Sequence, residues 1–121
     1  MTGKKYQELA MRTNDGKANK RLKSRLQLGD AGGLINGVMG LTGEAGEVAD
    51  LVKKTMFHEK ALDLDHLQKE LGDVMWYVAM ICYTCGLDMD DVMAMNIEKL
   101  KARYPEGFDT YRANHRAEGD V

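Results

Sequence analysis

Four carboxylates stand in two pairs with the same spacing. Glu44 and Glu47 are three residues apart, and so are Glu70 and Asp73. On a helix, a step of three residues places both side chains on one face, with Cβ atoms about 5–6 Å apart. Two such pairs on neighbouring antiparallel helices would gather four negative charges, which repel one another unless a cation lies among them. Hard oxygen ligands favour Mg²⁺, with Mn²⁺ as an alternative, and predict metal-assisted chemistry on an anionic substrate.

Basic and amide side chains indicate where such a substrate would bind. Lys54 lies close to the direction of Glu47 on the same predicted helix, while Asn96, Lys99 and Arg103 follow one another at steps of three and four on a later one. Carboxylates that hold Mg²⁺ beside cations that bind phosphates are what phosphoryl transfer requires. The acidic cluster would hold one ion, or a pair about 3.5–4 Å apart, and lower the pKa of a bound water.

Simpler interpretations exist for several of these residues. Acidic pairs at this spacing are common on solvated helix faces, and Lys99 and Arg103 would then only pair with surface acids. A di-iron bundle normally uses Glu-x-x-His motifs, and no Glu here has a His three residues later. Cys82 and Cys85 supply two of the four thiolates of a structural zinc site, so they are interpreted as core cysteines. His66 is interpreted as solvated rather than as a ligand.

The acid pairs need helices to position them, and apolar residues at helical spacing predict an all-α fold. One helix is expected over residues 34–55 and carries the first pair. A second is expected to start after an N-cap at Asp65, to carry the second pair and to stop at Gly86. A third is expected to start after an N-cap at Asp88 and to run to about Arg103, and a short one is expected over residues 6–13.

Glycine recurs every third residue in the helix that carries the first acid pair. Each glycine costs about 1 kcal/mol relative to alanine, so a packing or ligand role is expected. Gly37 and Gly40 are predicted to leave room for a ligand beside the acids. Gly43 and Gly46 are predicted to allow close helix contact, with packing at all four positions as the alternative.

The chain of 121 residues is expected to form one domain. Its core is placed at about residues 34–109, with a basic, glycine-rich loop or short helix at residues 14–33 and a polar tail at residues 110–121. A net charge of −2 argues against stable nucleic-acid binding. The sequence shows no signal-peptide core and no apolar run near the roughly 18 residues that a membrane span needs, so a cytoplasmic protein without membrane contact is expected.

The helix that carries Glu70 and Asp73 is apolar on two faces. Trp76, Met80 and Tyr83 lie on the face opposite its main apolar stripe. A helix that is apolar almost all round is buried on both sides. In so small a chain, the second face is expected to pack against another subunit.

Three segments together resemble one enzyme family. Residues 40–50 (GLTGEAGEVAD), with Lys53 and Lys54 close behind, resemble the first motif of the MazG-like all-α nucleoside triphosphate pyrophosphohydrolases. Residues 70–77 (ELGDVMWY) resemble the second motif, and residues 96–105 resemble the closing helix. The resemblance extends over about residues 34–109.

This resemblance implies a four-helix-bundle-type fold that works as a homodimer or homotetramer. It implies Mg²⁺-dependent hydrolysis of a nucleoside triphosphate between the α- and β-phosphates, which gives a monophosphate and pyrophosphate. The implied metal ligands, which would also activate the water, are Glu44, Glu47, Glu70 and Asp73. The implied substrate-binding residues are Lys54, Tyr77, Asn96, Lys99, Arg103 and Tyr104. Related dUTP and phosphoribosyl-ATP pyrophosphohydrolases share the architecture and remain alternatives, as does a non-catalytic helical oligomer that acts as a regulatory or interaction module.

Overall fold

The computed structural model describes residues 1–121, and its regular elements are all helical, as the sequence predicts. The helices are α1 (Gly3–Ala10), α2 (Ala18–Leu26), α3 (Ala31–Phe57), α4 (Leu64–Cys85), α5 (Met89–Arg103) and α6 (Thr110–Asn114), with a 3₁₀ turn at Met11–Thr13. None of them combines the length and the hydrophobicity that crossing a bilayer requires. Two are long, and these two carry the acid pairs.

Helices α3 and α4 pack side by side in opposite directions and provide most of the contact between helices. They come closest at two glycines of α3. A Cβ atom on Gly37 would lie 2.8 Å from Cγ1 of Ile81, and one on Gly40 would lie 2.1 Å from Cε1 of Tyr77. Neither position accepts a side chain unless the side chain of Ile81 or Tyr77 moves, so both glycines serve helix packing.

The other two glycines of the repeat have the opposite surroundings. A Cβ atom on Gly43 or Gly46 would meet nothing within 4 Å. The roles predicted for the two pairs of glycines were therefore wrong. Gly37 and Gly40 make the close helix contact, whereas Gly43 and Gly46 face open space. Helical spacing separates the two pairs of positions, but only the path of α4 decides which pair is covered.

Side-chain caps set the helix ends around the acid pairs. The carboxylate of Asp63 accepts a hydrogen bond from the backbone N–H of His66 at 3.0 Å, so Asp63 caps α4 and the prediction of Asp65 was wrong by two residues. Extended backbone at Asp63 suits an N-cap, and Asp65 lies in the first helical turn instead. Gly86 ends α4 in the left-handed conformation at φ 68°, and Asp88 caps α5, as predicted.

The segments outside the predicted core each contain a short helix. Helix α2 (Ala18–Leu26) occupies the middle of the basic segment at residues 14–33, which was predicted as a loop or a short helix. Helix α6 forms within the polar tail, where Asp109 accepts a hydrogen bond from the backbone N–H of Arg112 at 3.1 Å.

A single chain buries very few of its side chains. Only Gly37 and Cys82 are buried, whereas the side chains of Trp76 and Tyr83 are 59% and 88% exposed. Met80 was expected to face another subunit together with Trp76 and Tyr83. Instead it contacts α3 of its own chain, where its Sδ accepts a hydrogen bond from Asn36 at 3.7 Å. Helix α5 does not pack extensively on α3 or α4. One chain therefore contributes two long, packed helices rather than four.

Candidate metal centre

Three of the four predicted carboxylates meet between α3 and α4. Glu44 of α3, and Glu70 and Asp73 of α4, each place one oxygen within 4.8 Å of the others. Glu44 and Glu70 are half-buried, and Asp73 is exposed. The donors are all hard carboxylate oxygens, which is the set that Mg²⁺ and Mn²⁺ prefer. The residues present therefore fit a divalent cation, with the open side facing solvent.

The electrostatics of the cluster favour a cation. The pKa of Glu44 is raised above its ordinary value, first because the carboxyl is partly removed from water and then because Asp73 and Glu70 are negative. A hydrogen bond with Glu70 and the charge of Glu47 raise it further. Each added negative charge disfavours the next, so a divalent ion would relieve the repulsion.

Glu47, the fourth acid, lies at the edge of this cluster rather than within it. It is exposed and stands one helical turn beyond Glu44. Its charge contributes to the raised pKa of both Glu44 and Lys54, so it lies within electrostatic range of each. The structure thus brings three acids together and leaves the fourth beside them.

His66 contacts the cluster, which the sequence analysis did not expect. Its Nε2 lies 2.8 Å from Oε1 of Glu70, one helical turn away, although the imidazole remains 52% exposed. The four-residue spacing on one helix was the signal that would have found it. A hydrogen bond of this kind orients a carboxylate and fixes which oxygen is free to bind a metal.

A cavity of about 360 Å³ begins at His66 and lies under the connection between α3 and α4. Lys54 and Lys60 also line it. Lys54 donates to Asp50 at 2.6 Å, and this hydrogen bond is the main reason that the pKa of Lys54 is raised. Lys60, which the sequence analysis missed, has no acidic partner. Two ammonium groups next to a carboxylate cluster are suited to phosphate oxygens.

Tyr77 lies on the same helix as Asp73 and contacts α3. It is half-buried, lies one turn beyond Asp73 on α4, and packs its ring against the backbone of Gly40. The ring of Trp76 meets it edge-on, with centroids 4.9 Å apart and planes at 84°. These contacts hold the phenol in one place beside the cluster.

Comparison with known proteins places these features in a family. The MazG nucleotide pyrophosphohydrolase domain matches residues 36–108, which include all four predicted acids. The chain belongs to the MazG family. The Gene 37 protein of Mycobacterium phage L5 is 42% identical over 79 residues, which make up 62% of this chain and 69% of the phage protein. No solved structure matches the chain significantly.

The MazG match extends through α5, but that helix is not folded onto the acidic cluster. Asn96 is exposed, and Lys99 donates to the carbonyl oxygen of Val121 at 2.9 Å. Arg103 binds Asp120, and Tyr104 packs against Phe108 with ring centroids 5.4 Å apart. Within one chain, Lys99 and Arg103 therefore contact the last residues of the sequence, and the structure does not bring the four predicted residues to the carboxylates.

Proposed function

We propose that this MazG-family chain hydrolyses nucleoside triphosphates to the monophosphate and pyrophosphate with Mg²⁺, for which Mn²⁺ can substitute. The observation that carries the proposal is the meeting of Glu44, Glu70 and Asp73 from two helices within 4.8 Å. Family membership supports a nucleotide pyrophosphohydrolase. The cavity lined by Lys54 and Lys60 beside the acids supports a substrate rich in phosphate.

Each part of the site has a role in this reaction. Glu44, Glu70 and Asp73 would hold the cation, with Glu47 completing the set from the edge. A bound Mg²⁺ would neutralise phosphate charge and lower the pKa of a nearby water. His66 orients Glu70 through its hydrogen bond.

The remaining predicted residues would bind the nucleotide. Lys54 would contact phosphate oxygens, and Tyr77 would line the pocket beside the acids. The cations of α5, together with Asn96 and Tyr104, are assigned to the phosphates and to the leaving pyrophosphate. Because α5 projects from the hairpin of its own chain, this assignment requires an assembly in which α5 approaches an acidic cluster.

A homodimer or homotetramer would provide such an assembly. Trp76 and Tyr83 expose 59% and 88% of their side chains, and only two residues of the chain are buried. Large exposed apolar side chains on one helix mark a protein interface. Two α3–α4 hairpins placed face to face would supply the four long helices of a bundle and cover these side chains.

The test is a screen of nucleoside triphosphates with Mg²⁺ in which pyrophosphate and orthophosphate are measured separately. Pyrophosphate should accumulate in step with monophosphate, and ¹⁸O from labelled water should appear in the monophosphate. Glu44→Gln and Glu70→Gln, which keep the size of each side chain, should remove the activity. Label in released orthophosphate, or near-normal turnover in both variants, would falsify the proposal.

A further inference from the structure

The net charge of −2 conceals an uneven distribution of charge along the chain. Residues 1–30 carry eight lysines and arginines against three acids, whereas residues 31–121 carry nine against sixteen. The excess is concentrated in residues 16–29, which contain five cations and no acid. This segment precedes the region that matches the MazG domain, which begins at residue 36. The site proposed within that domain therefore gives this positive charge no role.

Helix α2 and its N-cap residue arrange four of the five cations along one face. Steps of three and four residues bring these side chains into a single stripe. The stripe extends about 12 Å along the helix axis and borders an open groove of about 530 Å³. The residues that line the groove are Lys17, Lys20, Arg21, Ser24, Arg25 and Leu28. We call this surface the basic face of α2.

Most of the charge on the basic face is unpaired. Lys17, Lys20 and Arg25 form no ion pair. Arg21 binds Asp15 with both prongs of its guanidinium, and Nη1 donates to Oδ1 at 3.0 Å. The side chains of this pair are 64% and 48% exposed, so water weakens it. The basic face therefore retains three free cations and a fourth that can leave its partner at little cost.

Helix α2 is poorly supported by its own chain. All of its residues are exposed, and it touches α3 only slightly. A helix of this length is marginal in water without tertiary contacts. We therefore expect a partner that covers α2, and the charge of the helix requires that partner to be negative.

The chemistry of α2 narrows the class of that partner. A nucleic-acid duplex such as B-DNA carries one negative charge per about 1.7 Å of its axis, so a stripe of about 12 Å meets several phosphates. Single strands are usually held by stacking on aromatic side chains, and residues 16–29 contain none. An anionic membrane requires a broad apolar face, whereas the side of α2 opposite the stripe offers only Leu22 and Leu26. These features favour a duplex.

We propose that the basic face of α2 binds the phosphate backbone of double-stranded nucleic acid without reading its sequence. Its lysines and arginines contact phosphate oxygens and release the counterions of the duplex. Such binding is weak and depends on salt, with Kd about 1–100 µM at physiological ionic strength. It does not depend on the proposed hydrolysis, because the basic face shares no residue with the carboxylate cluster.

The test is the fluorescence anisotropy of a labelled DNA duplex of random sequence, titrated with the full chain in EDTA at several salt concentrations. The logarithm of the association constant should fall with the logarithm of the salt concentration with a slope of about −3. Lys20→Gln/Arg25→Gln should weaken binding and reduce the magnitude of this slope by about 2, since two phosphate contacts are lost. A matched RNA duplex shows which of the two duplexes is preferred.

A second variant should strengthen binding, which a loss of folding cannot imitate. Asp15→Asn frees Arg21 and keeps the oxygen that accepts a hydrogen bond from the backbone N–H of Lys17 at 3.0 Å. The affinity for the duplex should rise about two- to fivefold, as expected when an exposed ion pair no longer has to be broken.

Matched controls come from exposed ion pairs outside α2. Lys69 pairs with Asp65 at 2.8 Å, and Lys101 pairs with Glu98 at 2.9 Å. Lys69→Gln/Lys101→Gln and Asp65→Asn change the net charge by the same amounts as the two test variants. They should leave both the affinity and the salt slope unchanged, and circular dichroism checks that each variant folds.

The proposal is overturned if the wild-type protein does not bind the duplex at about 50 mM salt. It is also overturned if the test variants differ from wild type no more than their controls do, or if a single strand of the same length binds more tightly than the duplex. Binding to vesicles that contain phosphatidylserine, without binding to the duplex, would replace nucleic acid by a membrane surface as the partner.

Discussion

The ring of Tyr77 lies against the backbone of Gly40, so close that a Cβ atom on Gly40 would stand 2.1 Å from Cε1 of the ring. This contact sets the distance between α3 and α4. One helical turn away from it, on the respective helices, stand Glu44 and Asp73, which belong to the carboxylate cluster. The glycine therefore helps to bring the acids of two helices together.

Replacing Gly40 by alanine should force α3 and α4 apart. Gly40→Ala should cost about 1–3 kcal/mol of unfolding free energy, as overpacking typically does, and should lower Mg²⁺-dependent turnover because the acids separate. Urea denaturation measures the first effect. Gly43→Ala is the control: nothing lies within 4 Å of its Cβ position, so it should gain up to about 1 kcal/mol from helix propensity. Equal stability of the two variants would contradict the packing role of Gly40.

The raised pKa of Glu44 predicts how the stability of the metal-free protein depends on pH. Because the folded protein holds this proton more tightly than the ordinary value of 4.5 implies, ionisation of Glu44 costs stability as the pH rises through the folded pKa. Glu44→Gln removes that loss. In EDTA, the melting temperature of Glu44→Gln relative to wild type should therefore increase as the pH rises above 4.5, through the range in which the folded wild type loses this proton.

Magnesium should reverse this difference, since the cation stabilises the ionised cluster of the wild type. Glu8→Gln, on the exposed face of α1, provides a control that should follow the wild type at each pH. A difference between Glu44→Gln and wild type that shrinks as the pH rises would show that the cluster does not repel its own charge.

The hydrogen bond from His66 to Glu70 predicts a defect in metal affinity. His66→Ala should raise the Mg²⁺ concentration needed for half-maximal turnover by about 10- to 100-fold, because Glu70 is no longer held in one orientation. Saturating Mg²⁺ should restore much of the activity. His58→Ala, at the end of α3, is the control. An unchanged Mg²⁺ requirement in His66→Ala would show that His66 does not support metal binding through Glu70.

Two adjacent lysines allow the predicted phosphate contact of Lys54 to be tested against a neighbour that has the same acidic partner. Lys53 and Lys54 both pair with Asp50, at 3.1 and 2.6 Å, but only Lys54 lines the cavity beside His66. Lys54→Gln should raise KM for the nucleotide about fivefold to tenfold, as loss of a phosphate contact does, while Lys53→Gln should leave it unchanged. Steady-state kinetics at saturating Mg²⁺ measure KM for both variants. If the two variants have equal KM values, Lys54 does not contact the phosphates.

The exposed face of α4 predicts self-association. Trp76, the one tryptophan, is 59% exposed in the single chain, so its emission should shift to the blue as subunits associate and to the red on dilution. Tyr83→Lys should weaken the assembly, because a charge would be buried without a partner. Tyr6→Lys on α1 is the control. Wild-type protein that sediments as a monomer at micromolar concentration would rule out the homodimer and the homotetramer.

The sequence by itself determined what is local. Apolar residues at helical spacing specified α3, α4 and α5, because a helix forms from contacts within a few residues along the chain. The same spacing put Glu44 beside Glu47 and Glu70 beside Asp73, and the motifs around them indicated the MazG family, which the domain match confirms. The stop of α4 at Gly86 also followed from one residue and its left-handed backbone.

Only the tertiary structure decided how these elements face one another. Periodicity divides Gly37 and Gly40 from Gly43 and Gly46, but the path of α4 determined that the first two are covered, the reverse of the prediction. Likewise, Lys99 and Arg103 share a face of α5, yet the C-terminal segment, not the acidic cluster, lies against it. Contacts between residues far apart in the chain depend on which surfaces pack together, and no short-range spacing encodes that choice.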